Sequence, residues 1–268
     1  MAIVLTFDMS SLRVAIAPGD NGIGLATARL FLQAGACVAI CGRDDRRLLA
    51  AQQVLQAFGP AERLLAYRGD SVNAAQATGF SRASGAAFGG VDILIANTGE
   101  SRAATLLASS SDLWSDELDR KFFSIIRPVR AFLPLLERSP AASVVCVNSL
   151  LAHQPEPAFA VTSAARAGVQ SLVKSMAIEF APKNVRVNAV LVGIQQQACV
   201  VERTGGRDAR GPAGACRMSA LAQRKGVPLG RAGTAEEAAM AIFHLGSPLL
   251  SYTTGSHIDV AGGLARRA

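Results

Sequence analysis

The chain is poor in the residues that most often carry chemistry. Among 268 residues there are five cysteines, three histidines, two tyrosines and one tryptophan. The cysteines (Cys37, Cys41, Cys146, Cys199 and Cys216) form no CxxC pair and no paired framework, which excludes a disulfide scaffold. Three of them lie in apolar runs and read as buried free thiols. His153, His244 and His257 are scattered along the chain, so no metal site is expected. No stretch approaches the roughly 18 to 20 apolar residues of a membrane span, and the opening MAIVLTFDMSS lacks the basic start and long apolar centre of a signal peptide. No membrane association and a cytoplasmic location are therefore expected.

What is present is apolar surface and a local excess of positive charge. Half of the residues are apolar and 18% are charged, enough to bury a sizeable core. The formal charge is +7, yet it is unevenly placed: between Glu202 and Lys225 six basic residues (Arg203, Arg207, Arg210, Arg217, Arg224, Lys225) face two acidic ones (Glu202, Asp208), a net of +4. No aromatic residue interleaves that segment, so the base-stacking platform of a single-strand binder is missing. An anion-facing loop is expected there, and no nucleic-acid partner.

Short apolar runs alternate with longer helical stretches, the pattern of a parallel sheet covered by helices on both faces. The runs are Arg13 to Ala17, Cys37 to Cys41, Arg63 to Tyr67, Asp92 to Asn97, Ser143 to Val147, Arg186 to Leu191 and His257 to Val260. Crossover helices are expected over Gly22 to Ala34, Arg46 to Phe58, Val72 to Phe88, Leu113 to Glu137, Val161 to Ala181 and Ala235 to Gly246, giving a doubly wound seven-stranded α/β sheet. Pro128, inside the long fourth helix, is expected to kink it or mark a helix start. No linker divides residues 1–268, which read as one domain. The irregular stretch from Gln195 to Gly226, with its GGRDARGPAGA core, reads as a long loop or mobile lid.

Directly after the first strand comes APGDNGIG, opening a helix. A glycine-rich turn between strand and helix lets backbone amides face a pyrophosphate, so Gly19, Asp20, Asn21, Gly22, Ile23 and Gly24 form a candidate dinucleotide site. The second strand ends CGRDDRR, where a dinucleotide fold places whatever touches the adenosine ribose. Arg43 in place of an acid favours a 2'-phosphate, and hence NADP(H) over NAD(H). Asp44 and Asp45 also read as an acidic cap on the next helix.

The ordered motifs APGDNGIG, GDSV, ANTG, VVCVNS, RVNAV, PLGRAGTAEEAA and TGSHIDVAGGL resemble the short-chain dehydrogenase/reductase family over nearly the whole chain. The resemblance implies a Rossmann fold, a nicotinamide cofactor, and a homodimer or homotetramer packed through the long helices after strands four and five. It also implies adenine contacts from Asp70 and Ser71, ribose-side contacts from Asn97, Thr98 and Gly99, and nicotinamide-side contacts from Gly193 and Ile194.

The same resemblance shows departures where the chemistry is expected. Ser149 matches the family's substrate-holding serine, but Thr162 stands where the proton-transferring tyrosine belongs and Arg166 where its lysine belongs. Lys121 takes the place of an asparagine in the preceding long helix, and Pro18 the place of the loop's first glycine. An aliphatic hydroxyl is a far poorer acid than a phenol of pKa about 10. Arg166 keeps a positive charge and can still hydrogen-bond a ribose. Proline fixes φ near −65°, so a turn needing positive φ at position 18 would be strained unless Gly19 absorbs the bend.

Three readings stay open at this level. One is an oxidoreductase whose site is rebuilt from Ser149, His153, Lys121 and Arg166, with His153 a group able to act near neutral pH. Another is a catalytically silent dinucleotide-binding relative or partner subunit. The third is diversion to non-redox chemistry of the halohydrin dehalogenase kind. The basic segment sits where the family carries its substrate lid, so an anionic or carrier-linked acyl substrate is expected.

Overall fold

Alternation along the strands builds both halves of the core. On β1 (Arg13–Ala17) Val14 and Ile16 point to one sheet face while Ala15 and Ala17 point to the other. In the computed structural model, which describes residues 7–97, 99, 101–195 and 220–266, the remaining strands are β2 (Cys37–Gly42), β3 (Leu64–Arg68), β4 (Ile93–Asn97), β5 (Ser143–Ser149), β6 (Arg186–Val192) and β7 (His257–Val260). Their order in the sheet is β3-β2-β1-β4-β5-β6-β7, and every pairing is parallel. The chain reverses its direction of travel between β1 and β4, and in such sheets ligands bind in the crevice beyond the carboxyl ends at that point. The doubly wound seven-stranded fold read from the sequence is the fold observed.

Helices α1 (Gly22–Gln33), α2 (Asp45–Leu55) and α6 (Ala235–Gly246) cover one face; α3 (Ala74–Phe88), α4 (Ser111–Leu136) and α5 (Ala160–Phe180) cover the other. Phe31, Leu55, Ile242 and Phe243 pack on Val14, Ile16, Val38 and Ile40. On the second face the strands present small residues, Ala15, Ala39, Ala96 and Ala189, which leave room for Phe80, Ile125 and Phe132. No helix among the described residues is long and apolar enough to cross a membrane.

The helix boundaries follow from local chemistry. The Asp44 side chain accepts from Arg47 N at the start of α2, so the acidic cap on that helix is present. Asn73 and Ser110 cap α3 and α4, and Thr234 with Glu237 forms a reciprocal capping box on α6. The small-residue side of α5 has a packing cause: a Cβ on Gly168 would stand 2.5 Å from Phe122 Cζ, so only glycine lets α4 and α5 approach this closely.

Some expectations shift. Arg63 ends a short 3-10 turn, so β3 begins one residue later than its apolar run. Pro128 does not start a helix, since it and Pro134 both lie inside the continuous α4. A proline inside a helix costs about 3 kcal/mol, which burial of Ile125, Val129, Phe132 and Leu136 on the same face outweighs. The stretch 195–226 is not irregular throughout: residues 220–224 are helical, built from the good helix formers Ala, Leu, Gln and Arg. Residues 196–219, with Arg203, Arg207, Arg210, Arg217, Cys199 and Cys216, lie outside the described residues. Of the remaining cysteines, Cys41 and Cys146 are buried free thiols and Cys37 is half-buried. Burial pushes the Cys146 thiol up to about 12.

Candidate active site

The glycine-rich turn between β1 and α1 is shaped by close backbone approach. Gly19 N donates to Cys41 O at 2.9 Å, and a Cβ at Gly19 would meet Ile40. A Cβ on Gly24 would collide with the Pro18 carbonyl oxygen, which itself accepts from Asn97 Nδ2 at 3.2 Å. The turn does not place positive φ at Pro18, and the bend is not taken at Gly19: the left-handed residue is Gly22, at φ 49°, and the Ala17–Pro18 bond is cis. Asn21 precedes the helix without a side-chain cap, which leaves the first amides of α1 to another acceptor. Ile23 is buried and offers its backbone alone. Asp20 packs against Gly42, and burial raises its carboxyl above the usual range while Arg47 and Arg43 oppose the shift.

At the end of β2, Arg43 is 64% exposed in its side chain, with Nη1 3.7 Å from Asp70 Oδ2. The structure therefore brings together the two residues read from sequence as the adenosine end. Asp70 Oδ1 accepts from Val72 N at 2.9 Å, and Ser71 beside it is buried. Across the sheet, Gly193 N donates to Val260 O at 3.0 Å, where a Cβ would press on Ala261. Ile194 O accepts from Gly233 N at 2.9 Å. Thr98 lies outside the described residues.

Thr162 and Arg166, the two positions that the sequence resemblance singles out, sit one turn apart on α5, facing α4. Thr162 is 0% exposed, and its hydroxyl donates to Glu117 Oε1 at 2.6 Å while accepting from Arg102 N at 3.1 Å. Arg166 is 4% exposed; its Nη2 donates to Gly99 O at 2.8 Å and Nη1 to Val147 O at 3.3 Å. Lys121, 3% exposed on α4, reaches the same Gly99 oxygen at 3.3 Å and Glu117 Oε1 also at 3.3 Å.

Two buried cations stand beside one carboxylate, and burial is the main perturbation of both. Burial, then the Arg166 charge, lowers the Lys121 ammonium to about 8 against the pull of Glu117. Burial lowers Arg166 to about 10, again opposed by Glu117, so it stays charged near neutral pH. Ser149 ends β5 half-buried, its Oγ accepting from Leu151 N at 3.3 Å. His153 is exposed, its ring 5.0 Å from that of His257.

Glu117 and Arg102 were missed by the sequence reading. Glu117 is buried to 1%, with Arg102 Nε 3.8 Å from its second oxygen, while Arg102 Nη1 holds Asp116 Oδ2 at 2.5 Å. A signal for Glu117 was available. It lies four residues before Lys121, and both continue the stripe of Ile125, Val129, Phe132 and Leu136 along the buried side of α4. Charged residues at apolar stripe positions point to paired burial.

This geometry can be compared with known proteins. A family model described as Enoyl-(Acyl carrier protein) reductase matches residues 17–265. The 3-oxoacyl-[acyl-carrier-protein] reductase of Vibrio cholerae is 31% identical over 253 residues, covering 94% of this chain and 97% of that one. An uncharacterized short-chain type dehydrogenase/reductase of Sinorhizobium fredii is 33% identical, covering 92% and 94%. Among solved structures, a short chain oxidoreductase from Pseudomonas aeruginosa PAO1, described as containing an atypical catalytic center, is 50% identical over 98% of this chain and 100% of that one. Its apo form matches with a TM-score of 0.93 and its NADPH-bound form with 0.92.

Proposed function

The chain belongs to the short-chain dehydrogenase/reductase family, and on that premise we propose that it is an NADP(H)-dependent oxidoreductase interconverting a carbonyl and an alcohol, with Lys121 as proton donor. The observation that carries this reading is the convergence of Lys121 and Arg166 on the Gly99 carbonyl oxygen, at 3.3 and 2.8 Å. Thr162 does not take the donor role, because its hydroxyl proton is engaged by Glu117.

The residues fit a phosphorylated nicotinamide dinucleotide. Gly19 and Gly24 let the turn close against Ile40 and the Pro18 carbonyl, where a Cβ would collide, the first amides of α1 suit a pyrophosphate, and exposed Arg43 suits a 2'-phosphate. The NADPH-bound Pseudomonas aeruginosa relative supports the same cofactor here. When bound, it supplies the hydride that adds to the carbonyl carbon. The Ser149 hydroxyl hydrogen-bonds the carbonyl oxygen as negative charge develops there. Lys121 gives that oxygen one proton and becomes a neutral amine, completing the alcohol. Arg166 keeps its charge, stabilising the developing alkoxide and the ribose side of the site.

A carrier-linked acyl substrate is supported by the relatives named 3-oxoacyl-[acyl-carrier-protein] reductase and by the basic residues between 202 and 225. A homodimer or homotetramer through α4 and α5 follows from the family premise. NADPH oxidation at 340 nm against ketones, aldehydes and 3-oxoacyl thioesters tests the activity; no turnover with any of them overturns it. A second reading, a silent dinucleotide-binding subunit, draws on the near-complete burial of Lys121. NADPH binding by calorimetry without turnover would favour it.

A further inference from the structure

The buried acid on α4 has no counterpart among the roles assigned above. Glu117 Oε1 receives two donors, the Thr162 hydroxyl at 2.6 Å and the Lys121 ammonium at 3.3 Å. Its Oε2 is buried without a hydrogen bond and faces the Arg102 guanidinium at 3.8 Å. Charged groups reach this carboxylate from every side: Lys121 from its own helix, Arg166 from α5, and Arg102 from the segment before α4, itself shared with Asp116. A carboxylate only 1% exposed is costly unless paired, and removing it would take away a negative charge that Lys121, Arg166 and Arg102 share.

We propose that Glu117 is the positioning residue of this site: by gathering the Lys121 ammonium and the Thr162 hydroxyl on one carboxylate oxygen, it fixes where Lys121 stands and holds the proton on it. The proposal rests on the reading of Lys121 as proton donor. Thr162 then has a definite task. Where the family has an acid, this chain has a hydroxyl that anchors the carboxylate from α5, so the site is tied across two helices. The charge-assisted bond at 2.6 Å is short enough for Thr162 to limit the rotamers of Glu117. The proton balance is simple. Lys121 loses one proton to the alkoxide in each reduction and regains one from solvent, while Glu117 stays ionised and biases that equilibrium toward the ammonium.

The test follows the titration of Lys121 directly. The chain has four lysines, Lys121, Lys174, Lys183 and Lys225, so protein carrying 13C at lysine Cε gives four resonances, with Lys121 assigned by its loss in Lys121→Met. Glu117→Gln is expected to move the Lys121 midpoint down by about one pH unit or more, because an opposite charge within a few ångströms has been removed. The alkaline limb of kcat should shift the same way. Thr162→Val, which leaves Glu117 Oε1 to Lys121 alone, is expected to move the midpoint up, and it decides the matter if Glu117→Gln does not fold. A Lys121 midpoint unmoved in the folded variants overturns the proposal. The resonance needs no turnover. A wild type that oxidises no NADPH yet shows both shifts overturns the proposed activity and keeps the pairing, whereas unchanged titration with normal turnover does the reverse.

Discussion

The Thr162 hydroxyl lies 2.6 Å from Glu117 Oε1, in a position with no exposure to solvent. The space beyond Thr162 is therefore filled by a carboxylate and not by substrate. A tyrosine placed at this point is expected to meet Glu117 and not substrate. Thr162→Tyr forces a ring against Glu117, and overpacking of this kind costs about 1–3 kcal/mol, or roughly 2–8 °C in Tm for a chain of this size. Thermal melts of Thr162→Tyr against wild type check this, and an unchanged Tm would contradict it.

Lys121→Met removes the proposed donor while keeping length and apolar bulk. We expect kcat to fall by about 10²- to 10⁴-fold, the usual contribution of a positioned acid. NADPH affinity by calorimetry should stay within a few-fold of wild type. Equal kcat in the two proteins would remove Lys121 from the mechanism.

The pH dependence has a defined sign. Lys121 titrates at about 8 in the folded chain and at its ordinary value of 10.5 when unfolded. Between these values the unfolded state binds more protons, so stability rises as pH climbs through that window. Below 8 the buried ammonium penalises folding in full. Wild-type Tm measured against Lys121→Met should therefore gain ground from pH 8 to 10. In the reductive direction kcat should decline over the same rise, as the proton to be given is lost.

Gly24 has the Pro18 carbonyl oxygen where a side chain would begin. Gly24→Ala must displace the turn, and with it the amides at the start of α1. NADPH affinity is expected to weaken at least about tenfold, equivalent to the loss of one good hydrogen bond to a charged group. Calorimetry on the folded variant is the measurement, with circular dichroism to show that the helix content is retained.

Arg43 tests the cofactor preference. Its side chain is mostly exposed, and its 3.7 Å pairing with Asp70 is a weak surface contact, so it is available to a phosphate. Arg43→Ala should raise the Kd for NADPH by about ten- to a hundredfold and leave that for NADH nearly unchanged. A parallel loss for both dinucleotides would contradict a 2'-phosphate contact.

The fold was legible because parallel strands buried on both faces must be short, apolar and continuous, and the runs from Arg13 and His257 match β1 and β7 residue for residue. The placement of Arg43 and Asp70 just beyond the carboxyl ends of β2 and β3, and of Asn97 at the last residue of β4, accords with that sheet order. Motif spacing flagged Thr162, Arg166 and Lys121 as odd, but what they do instead depends on contacts between α4 and α5, which spacing within one helix does not report. Glu117 escaped for that reason, although its place on the stripe of Ile125 and Phe132 marked it as buried. Pro128 lies within α4 without starting a helix, because burial of the stripe around it outweighs a local penalty. His153 drew attention as an ionisable group near Ser149, yet its ring neighbour is His257 on β7, a relation between elements distant in sequence.

The notch at Gly168, filled by the Phe122 ring, stands two residues from Arg166 on one helix and one residue from Lys121 on the other. It blocks axial slip between the two rods that carry Glu117, Lys121, Thr162 and Arg166. The spacing of four polar groups is thus gauged by a hydrocarbon contact that takes no part in proton transfer. A methyl group added at Gly168 would alter the chemistry without touching it.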